Sequence, residues 1–351
     1  MALERYVPPY RYSQAEVVPW IRRWLEPLEP RVRARLLAIY DTAGVKRRGS
    51  VVPIEEAFET TDFERKNERY GIAMREAGIA TARRALQTAA LPAQDVGLVV
   101  SASCTGFMIP AVDAYVANAL GLGPRLCRLP ITESGCAGGI VGLARALDFL
   151  VAHPDQAALV LALEFASLTF QAWDLSPANV VSTAIFGDGG AAVLLVGGEH
   201  PRASDARVGL LGSSSVFLPD TTHLMGFELR NQGLQIVLDK SLTRVVKNTV
   251  RRTVDEFLAQ QQITRAQVAH WILHPGGRRV IDVMAEELAL PEGALGATAD
   301  VLAEHGNMSS VTVLFVLDEL LRSGAARPGD LGLMAAFGPG FGAELLLTEF
   351  A

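Results

Sequence analysis

Cysteine is scarce in this chain: Cys104, Cys127 and Cys136 are all that its 351 residues contain. Neither their number nor their spacing suits a disulfide framework, so they read as free thiols in a reducing compartment. Positive charge is short as well. Lysine and arginine number 32 against 38 acids, a net charge of −6 spread along the chain, and this balance argues against nucleic acid as a partner. No apolar run reaches the ~20 residues of a membrane helix without a Gly, Pro or acid. The opening segment, Met1 to Pro9, carries charges and prolines where a secretion signal would be apolar. The expectation is a soluble, cytoplasmic protein with no membrane span. A low-complexity linker is missing too, which favours closely packed units over mobile domains. The turn Phe186-Gly-Asp-Gly189 lacks both the Lys-Ser/Thr ending of a P-loop and the spacing of a dinucleotide fingerprint, so a nucleotide site there is disfavoured.

What the chain does have is apolar substance. Its 50% hydrophobic content supports a large core, and its length suggests two structural units. Apolar runs with polar boundaries predict strands over 95–103, 125–130, 156–164, 191–196 and 269–274, and two more around the Gly-Pro-Gly loop at 338–340. Helical spacing lies between them. Strands that are apolar on both faces and alternate with helices describe an α/β architecture whose sheet is covered on both sides. Ser13 reads as the cap of the first helix, separate helices start at Thr61 and Gly78, and Ser309 or Ser310 caps the helix Val311 to Leu321.

Three places draw attention for chemistry. Cys136 opens a small-residue helix in Gly-Cys-Ala-Gly-Gly, with Gly138, Gly139 and Gly142 beside it. Glycine inside a helix costs roughly 0.5–1 kcal/mol relative to alanine, so these positions call for a packing or functional reason. A thiol at a helix N-terminus is biased toward thiolate; the alternative is a buried structural cysteine at a tight helix crossing. His274 ends a strand in Leu-His-Pro-Gly-Gly, where backbone N–H groups become free. Asn307, in Gly-Asn-Met-Ser-Ser, would by itself be read as a turn stabiliser. The short basic run Lys46, Arg47, Arg48 is either a solvated face or a contact for phosphate.

Taken in order, Cys136, Phe186-Gly-Asp-Gly189, His274, Asn307 and Phe337-Gly-Pro-Gly340 resemble the type III polyketide synthases. These are the chalcone synthase-like branch of the thiolase superfamily, and the resemblance runs over nearly the whole chain. It implies a homodimer of five-layered αβαβα subunits, with one half over 1–207 carrying the nucleophilic cysteine and a similar half over 208–351 carrying the histidine and asparagine. It implies a Cys136-His274-Asn307 site that takes an acyl group from acyl-CoA and extends it with malonyl-CoA. His274 as imidazolium would hold Cys136 as thiolate, and no metal or organic cofactor is required.

The same resemblance assigns Phe186 as one gatekeeper and places Ile236 where plant enzymes usually carry an aromatic second one. Thr105, Glu164, Ser167, Thr169, Gln235, Ser309 and Phe337 fall at positions that shape the pocket, and Ile109 at the position that reaches across the dimer. Of three basic positions at the CoA mouth only Arg35 keeps its charge, the others being Ala38 and Thr42; Lys46, Arg47 and Arg48 are the substitutes. Weakened CoA contacts would also suit a donor on an acyl-carrier protein. An alkylpyrone- or alkylresorcinol-forming enzyme with a fatty acyl starter is the reading favoured. A ketosynthase III-like enzyme performing one condensation, or joining carrier-bound chains, is the alternative.

Overall fold

The computed structural model describes residues 2–59 and 62–351. Two mixed sheets frame it. The first orders Ala2–Tyr6, Gly189–Val196, Ala157–Glu164, Val96–Ala102 and Cys127–Ile131. Val96–Ala102 is parallel to both neighbours, and Gly189–Val196 is antiparallel to both of its own. The second orders Val268–Leu273, Leu331–Gly338, Gly342–Phe350 and Val208–Phe217, one parallel pair followed by two antiparallel ones.

Successive strand residues point to opposite faces, and both faces are covered. Val100, Val160 and Val193 of the first sheet share one core with Ile272, Met334 and Leu346 of the second. Between them lie the helices Gly138–Ala152 and Thr312–Ser323, through Ile140, Leu143, Leu314 and Leu317. The opposite face of the first sheet, with Val99, Leu159 and Leu161, is covered by Phe63–Ala89 and Val112–Leu120. That of the second is covered by Leu242–Gln260 and Arg278–Glu287. The stack is therefore αβαβα, as a thiolase-like fold requires. The segment Gly135–Ala152 is apolar enough, by length and composition, to cross a membrane, but it is mostly buried between the sheets.

Local signals held in part. Ser13 caps Gln14–Trp24 in a full capping box with Glu16. The helices expected to start separately at Thr61 and Gly78 are one 27-residue helix, Phe63–Ala89, capped by Asp62; Thr61 lies outside the described residues. Gly78 is interior to it, and a Cβ there would come within 2.8 Å of Val112 Cγ2. The glycine thus marks a close helix approach, not a helix start. Ser309 and Ser310 do not cap the last helix, whose N-cap, Val311, makes no side-chain hydrogen bond. Both serines are buried and turn toward other partners.

Candidate active site

Cys136 lies in a single 3-10 turn, Gly135–Ala137, at the head of the central helix Gly138–Ala152, where helical N–H groups lack partners. The neighbouring glycines are accounted for by packing. A Cβ on Gly139 would sit 2.3 Å from Ser310 O, so only glycine lets the cysteine helix touch the turn that follows Asn307. His274 continues from Val268–Leu273 and donates its N–H to Ala335 O at 2.8 Å. Asn307 follows Gly296–His305 and is held by the chain around Phe186. Its N–H donates to Ile185 O at 2.7 Å, and the Gly187 N–H donates to Asn307 O at 3.0 Å. All three side chains are buried.

The Asn307 amide has a defined orientation. Its Oδ1 accepts from the Ser309 N–H at 2.8 Å and from the Thr312 hydroxyl at 3.3 Å, which leaves Nδ2 as the outward donor. That nitrogen lies 3.5 Å from Gly276 O and on the side of the Cys136 thiol, whose pKa it helps to lower. Asn307 is therefore the turn stabiliser its sequence suggests, with its remaining donor left near the thiol. Neither ring nitrogen of His274 has a partner, although both are buried. Buried polar atoms are normally paired, so a histidine kept there costs stability.

Burial pushes the Cys136 thiol up to about 11, against the downward pull of hydrogen bonds from Ser309 and Asn307. Burial also pushes His274 down to about 3. Burial thus works against the expected imidazolium–thiolate pair, because a lone charge in this enclosure is costly. Because the raised thiol ionises more as pH rises, iodoacetamide alkylation of Cys136 should accelerate roughly tenfold per unit from about pH 6 to 9. Peptide mass spectrometry in a Cys127→Ser background would follow it, since Cys127 is an exposed thiol. A rate already level below pH 7 would mean a standing ion pair.

Glu164 joins the two halves of the site. Its Oε2 accepts from the Thr105 hydroxyl at 2.9 Å, the Cys104 N–H at 3.0 Å and the Ser103 hydroxyl at 3.3 Å, and its Oε1 accepts from Ser310 at 2.6 Å. Burial raises its pKa against these bonds. Ser309 is held at φ 47°, a left-handed conformation that a serine rarely adopts. Its hydroxyl lies 3.4 Å from Cys104 Sγ and is near enough to Cys136 to pull that thiol's pKa down. Sequence reasoning overlooked Cys104 as a member of this site. Its signal was the irregular Cys104-Thr-Gly-Phe directly after an apolar strand.

Other expected positions have more structural duties. Ser167 binds Asp188 through its N–H at 2.8 Å and its hydroxyl at 2.5 Å, and burial lifts Asp188 to about 6. Thr169 donates to Ala166 O at 3.0 Å. Ile236 and Gln235 lie on Gly233–Leu238, which packs on the helix Pro177–Ile185, and Gln235 Nε2 donates to Asp174 at 3.3 Å. Phe337 stacks on Phe341 at 5.4 Å, within the outer core of the second sheet. There it packs beside the hairpin loop between the last two strands. Ile109 is 99% exposed.

The basic run divides. Arg48 is buried and clamps the end of Pro177–Ile185, donating to Phe186 O at 3.0 Å, Ala184 O at 2.8 Å, Thr183 O and the Gln14 side chain at 2.6 Å. Unpaired carbonyls at a helix C-terminus attract such a cation, and Arg48 is thereby withdrawn from any surface mouth. Arg47 pairs with Glu304 at 3.1 Å. Arg35 and Lys46 are exposed and make no ion pair among the described residues. No group of His, Cys, Asp and Glu among the described residues could hold a metal ion.

Residues 1–200 match the N-terminal domain of chalcone and stilbene synthases and residues 210–350 the C-terminal domain. A 1,3,6,8-tetrahydroxynaphthalene synthase from Streptomyces peucetius is 36% identical, over 99% of this chain and 92% of its own. A phloroglucinol synthase from Pseudomonas fluorescens is 33% identical over 98% and 96%. An alpha-pyrone synthesis polyketide synthase-like protein from Mycobacterium tuberculosis is 29% identical over 92% and 84%. Among solved structures, the 1,3,6,8-tetrahydroxynaphthalene synthase of Streptomyces coelicolor, described as a bacterial type III polyketide synthase, superposes with a TM-score of 0.93. It is 30% identical and the match covers 99% of this chain and 98% of that one. The chain belongs to the chalcone and stilbene synthase family, and it is a condensing acyltransferase of the type III polyketide synthase kind.

Proposed function

We propose that Cys136, His274 and Asn307 are the catalytic set of a synthase primed by an acyl thioester and extended by malonyl-CoA. The observation that carries this is the fixed Asn307 amide, with its donor side turned to the buried Cys136 thiol. In loading, neutral His274 takes the Cys136 proton as sulfur attacks the acyl thioester, and CoA leaves as the thiol. Malonyl-CoA then loses carbon dioxide, and its enolate oxygen is stabilised by donors from His274 and Asn307. The enolate carbon attacks the acyl-Cys136 thioester, returning the cysteine and leaving a CoA thioester two carbons longer. After repeated rounds, attack of an enol oxygen on the terminal thioester gives a pyrone and releases CoA; carbon–carbon closure leads to a resorcinol.

An aliphatic starter is supported by Ile236, which puts a branched aliphatic side chain at a gate where an aromatic ring would narrow the passage, and by the relative named for alpha-pyrone synthesis. Arg35, Lys46 and Arg47 remain the surface cations for the CoA phosphates, and the exposed Ile109 suits a homodimer contact. The test incubates the purified protein with malonyl-CoA and acyl-CoAs from acetyl to long-chain, identifying products by mass. Products whose masses track the starter plus two-carbon units are expected. Product from malonyl-CoA alone, whatever acyl-CoA is added, would replace this reading with chemistry like that named for the tetrahydroxynaphthalene synthases. A single two-carbon extension would move it to the ketosynthase III alternative.

Ile236→Phe should shorten the longest starter accepted, since one methylene in an apolar pocket is worth about 1–3 kcal/mol of discrimination. An unchanged starter profile would remove Ile236 from the gate.

A further inference from the structure

Between Arg22 and Arg48 the chain holds eight basic residues against three acids, although its net charge is −6. Five of the eight are arginines on one helical hairpin: Arg22 and Arg23 near the end of Gln14–Trp24, and Arg31, Arg33 and Arg35 in the first half of Pro30–Thr42. Four are exposed and Arg33 is half-buried. None of the five pairs with an acid among the described residues, whereas Leu242–Gln260 and Arg278–Glu287 pair Arg251 with Asp255 and Arg278 with Asp282 one turn on. Helix stability accounts for part of the set. Arg22 and Arg23 suit the C-terminal end at which they sit, but Arg31 and Arg33 fall in the first turn of Pro30–Thr42, where no acid is present and a cation opposes the helix dipole.

The hairpin encloses an open groove of about 600 Å³, with Arg22 and Arg23 on one wall, Arg33 on the other, and Pro19, Ala34 and Leu37 as apolar lining. Glu26 is the acid on this lining, and Arg33 Nη1 donates to its backbone oxygen at 3.5 Å. The hairpin adjoins the reaction site: the Tyr40 hydroxyl bonds that of Thr183 at 2.5 Å, and Thr183 lies on Pro177–Ile185, whose end at Phe186 pairs with Asn307. Arg31 lies two helical turns, about 10 Å, from the uncharged Ala38. Cations spread over two helices at that remove are set too widely for one nucleotide's phosphates and suit a row of carboxylates on a folded partner. A concave wall also suits a lipid surface poorly, and Val32, 38% exposed, is the one exposed large apolar side chain on the hairpin among the described residues.

We propose that this arginine groove docks the acidic face of a carrier protein, which delivers the starter as an acyl-pantetheine thioester. The proposal rests on the acyl-primed reading above. Loading is the same exchange as with CoA: the acyl carbon leaves the carrier's pantetheine sulfur for Cys136 Sγ, and the pantetheine thiol takes the proton. The test compares two donors, the dodecanoyl form of an acyl-carrier protein from bacterial fatty-acid synthesis and dodecanoyl-CoA, and reads Cys136 acylation by intact mass. Both should load the wild type. Reversing Arg22, Arg23 and Arg33 together to Glu should lower kcat/KM for the carrier at least about tenfold, since like charges then face each other, and leave loading from acyl-CoA near wild type. Added salt should weaken carrier loading of the wild type and barely move that of the variant.

Failure modes are separable. If neither donor acylates Cys136, the acyl-primed reading falls and this proposal with it. If acyl-CoA loads but the carrier does not, or the carrier loads wild type and variant equally, the docking assignment alone is overturned. Binding of the wild type to phosphatidylglycerol vesicles without carrier loading would give the groove to lipid and overturn it as well. Arg33→Glu relieves the unfavourable cation in the first turn of its helix and should not lower thermal unfolding. Should the triple reversal not fold, Arg22→Gln with Arg33→Gln decides, by a smaller loss confined to the carrier donor.

Discussion

Cys136→Ala is expected to end product formation, lowering turnover on the order of a thousandfold or more, as loss of a covalent nucleophile does. No other thiol can replace it. Cys127 is exposed on an edge strand, and Cys104 is raised by burial and by nearby Glu164 and bonds the same serine hydroxyl from the side. The substitution removes one sulfur from a tightly packed turn, so unfolding should move by about 1 kcal/mol and not by the many that would collapse the site. The fingerprint is selective: acyl transfer to protein vanishes, while malonyl decarboxylation, which needs only oxygen donors, persists. Intact-mass measurement after mixing with acyl-CoA reads the first, and carbon dioxide release reads the second. If Cys136→Ala still becomes acylated and Cys104→Ala does not, the nucleophile has been assigned to the wrong cysteine.

Much of this molecule was legible in its residues because the signals were local. The double-faced apolar runs at 96–102 and 157–164 announced covered strands, and they are covered on both faces. Ser13 announced a helix cap, which Glu16 three residues on completes as a capping box. What stayed hidden depends on contacts distant in the chain. Arg48 reads as one cation in a basic run, and only the fold brings it to the carbonyls of 183, 184 and 186. Ser309 and Ser310 read as helix caps, yet Glu164 and the two thiols, more than a hundred residues earlier, claim their hydroxyls. The enclosure of His274 was hidden for the same reason. A histidine at a strand end looks accessible, whereas the structure encloses both of its nitrogens.

His274→Ala and Asn307→Ala should each reduce starter-independent conversion of malonyl-CoA to acetyl-CoA and carbon dioxide by about 10²–10³, the usual cost of losing one oxyanion donor. Their stability effects should differ, and that difference makes the experiment informative. His274 has no hydrogen bond from its ring to lose, so its removal leaves a cavity but orphans no partner. Asn307 holds the Ser309 N–H and the Thr312 hydroxyl. Its removal leaves buried donors unmet, at about 1–3 kcal/mol, and releases the turn that keeps Ser309 against Cys136. Asn307→Asp separates the two roles: a carboxyl oxygen still accepts from Ser309 and Thr312, but the amide donor is gone. Decarboxylation should be as poor as in Asn307→Ala while thermal unfolding stays closer to wild type. Should Asn307→Asp decarboxylate normally, the asparagine would be a scaffold for the turn alone; near-normal rates in both alanine variants would place the oxyanion on other donors.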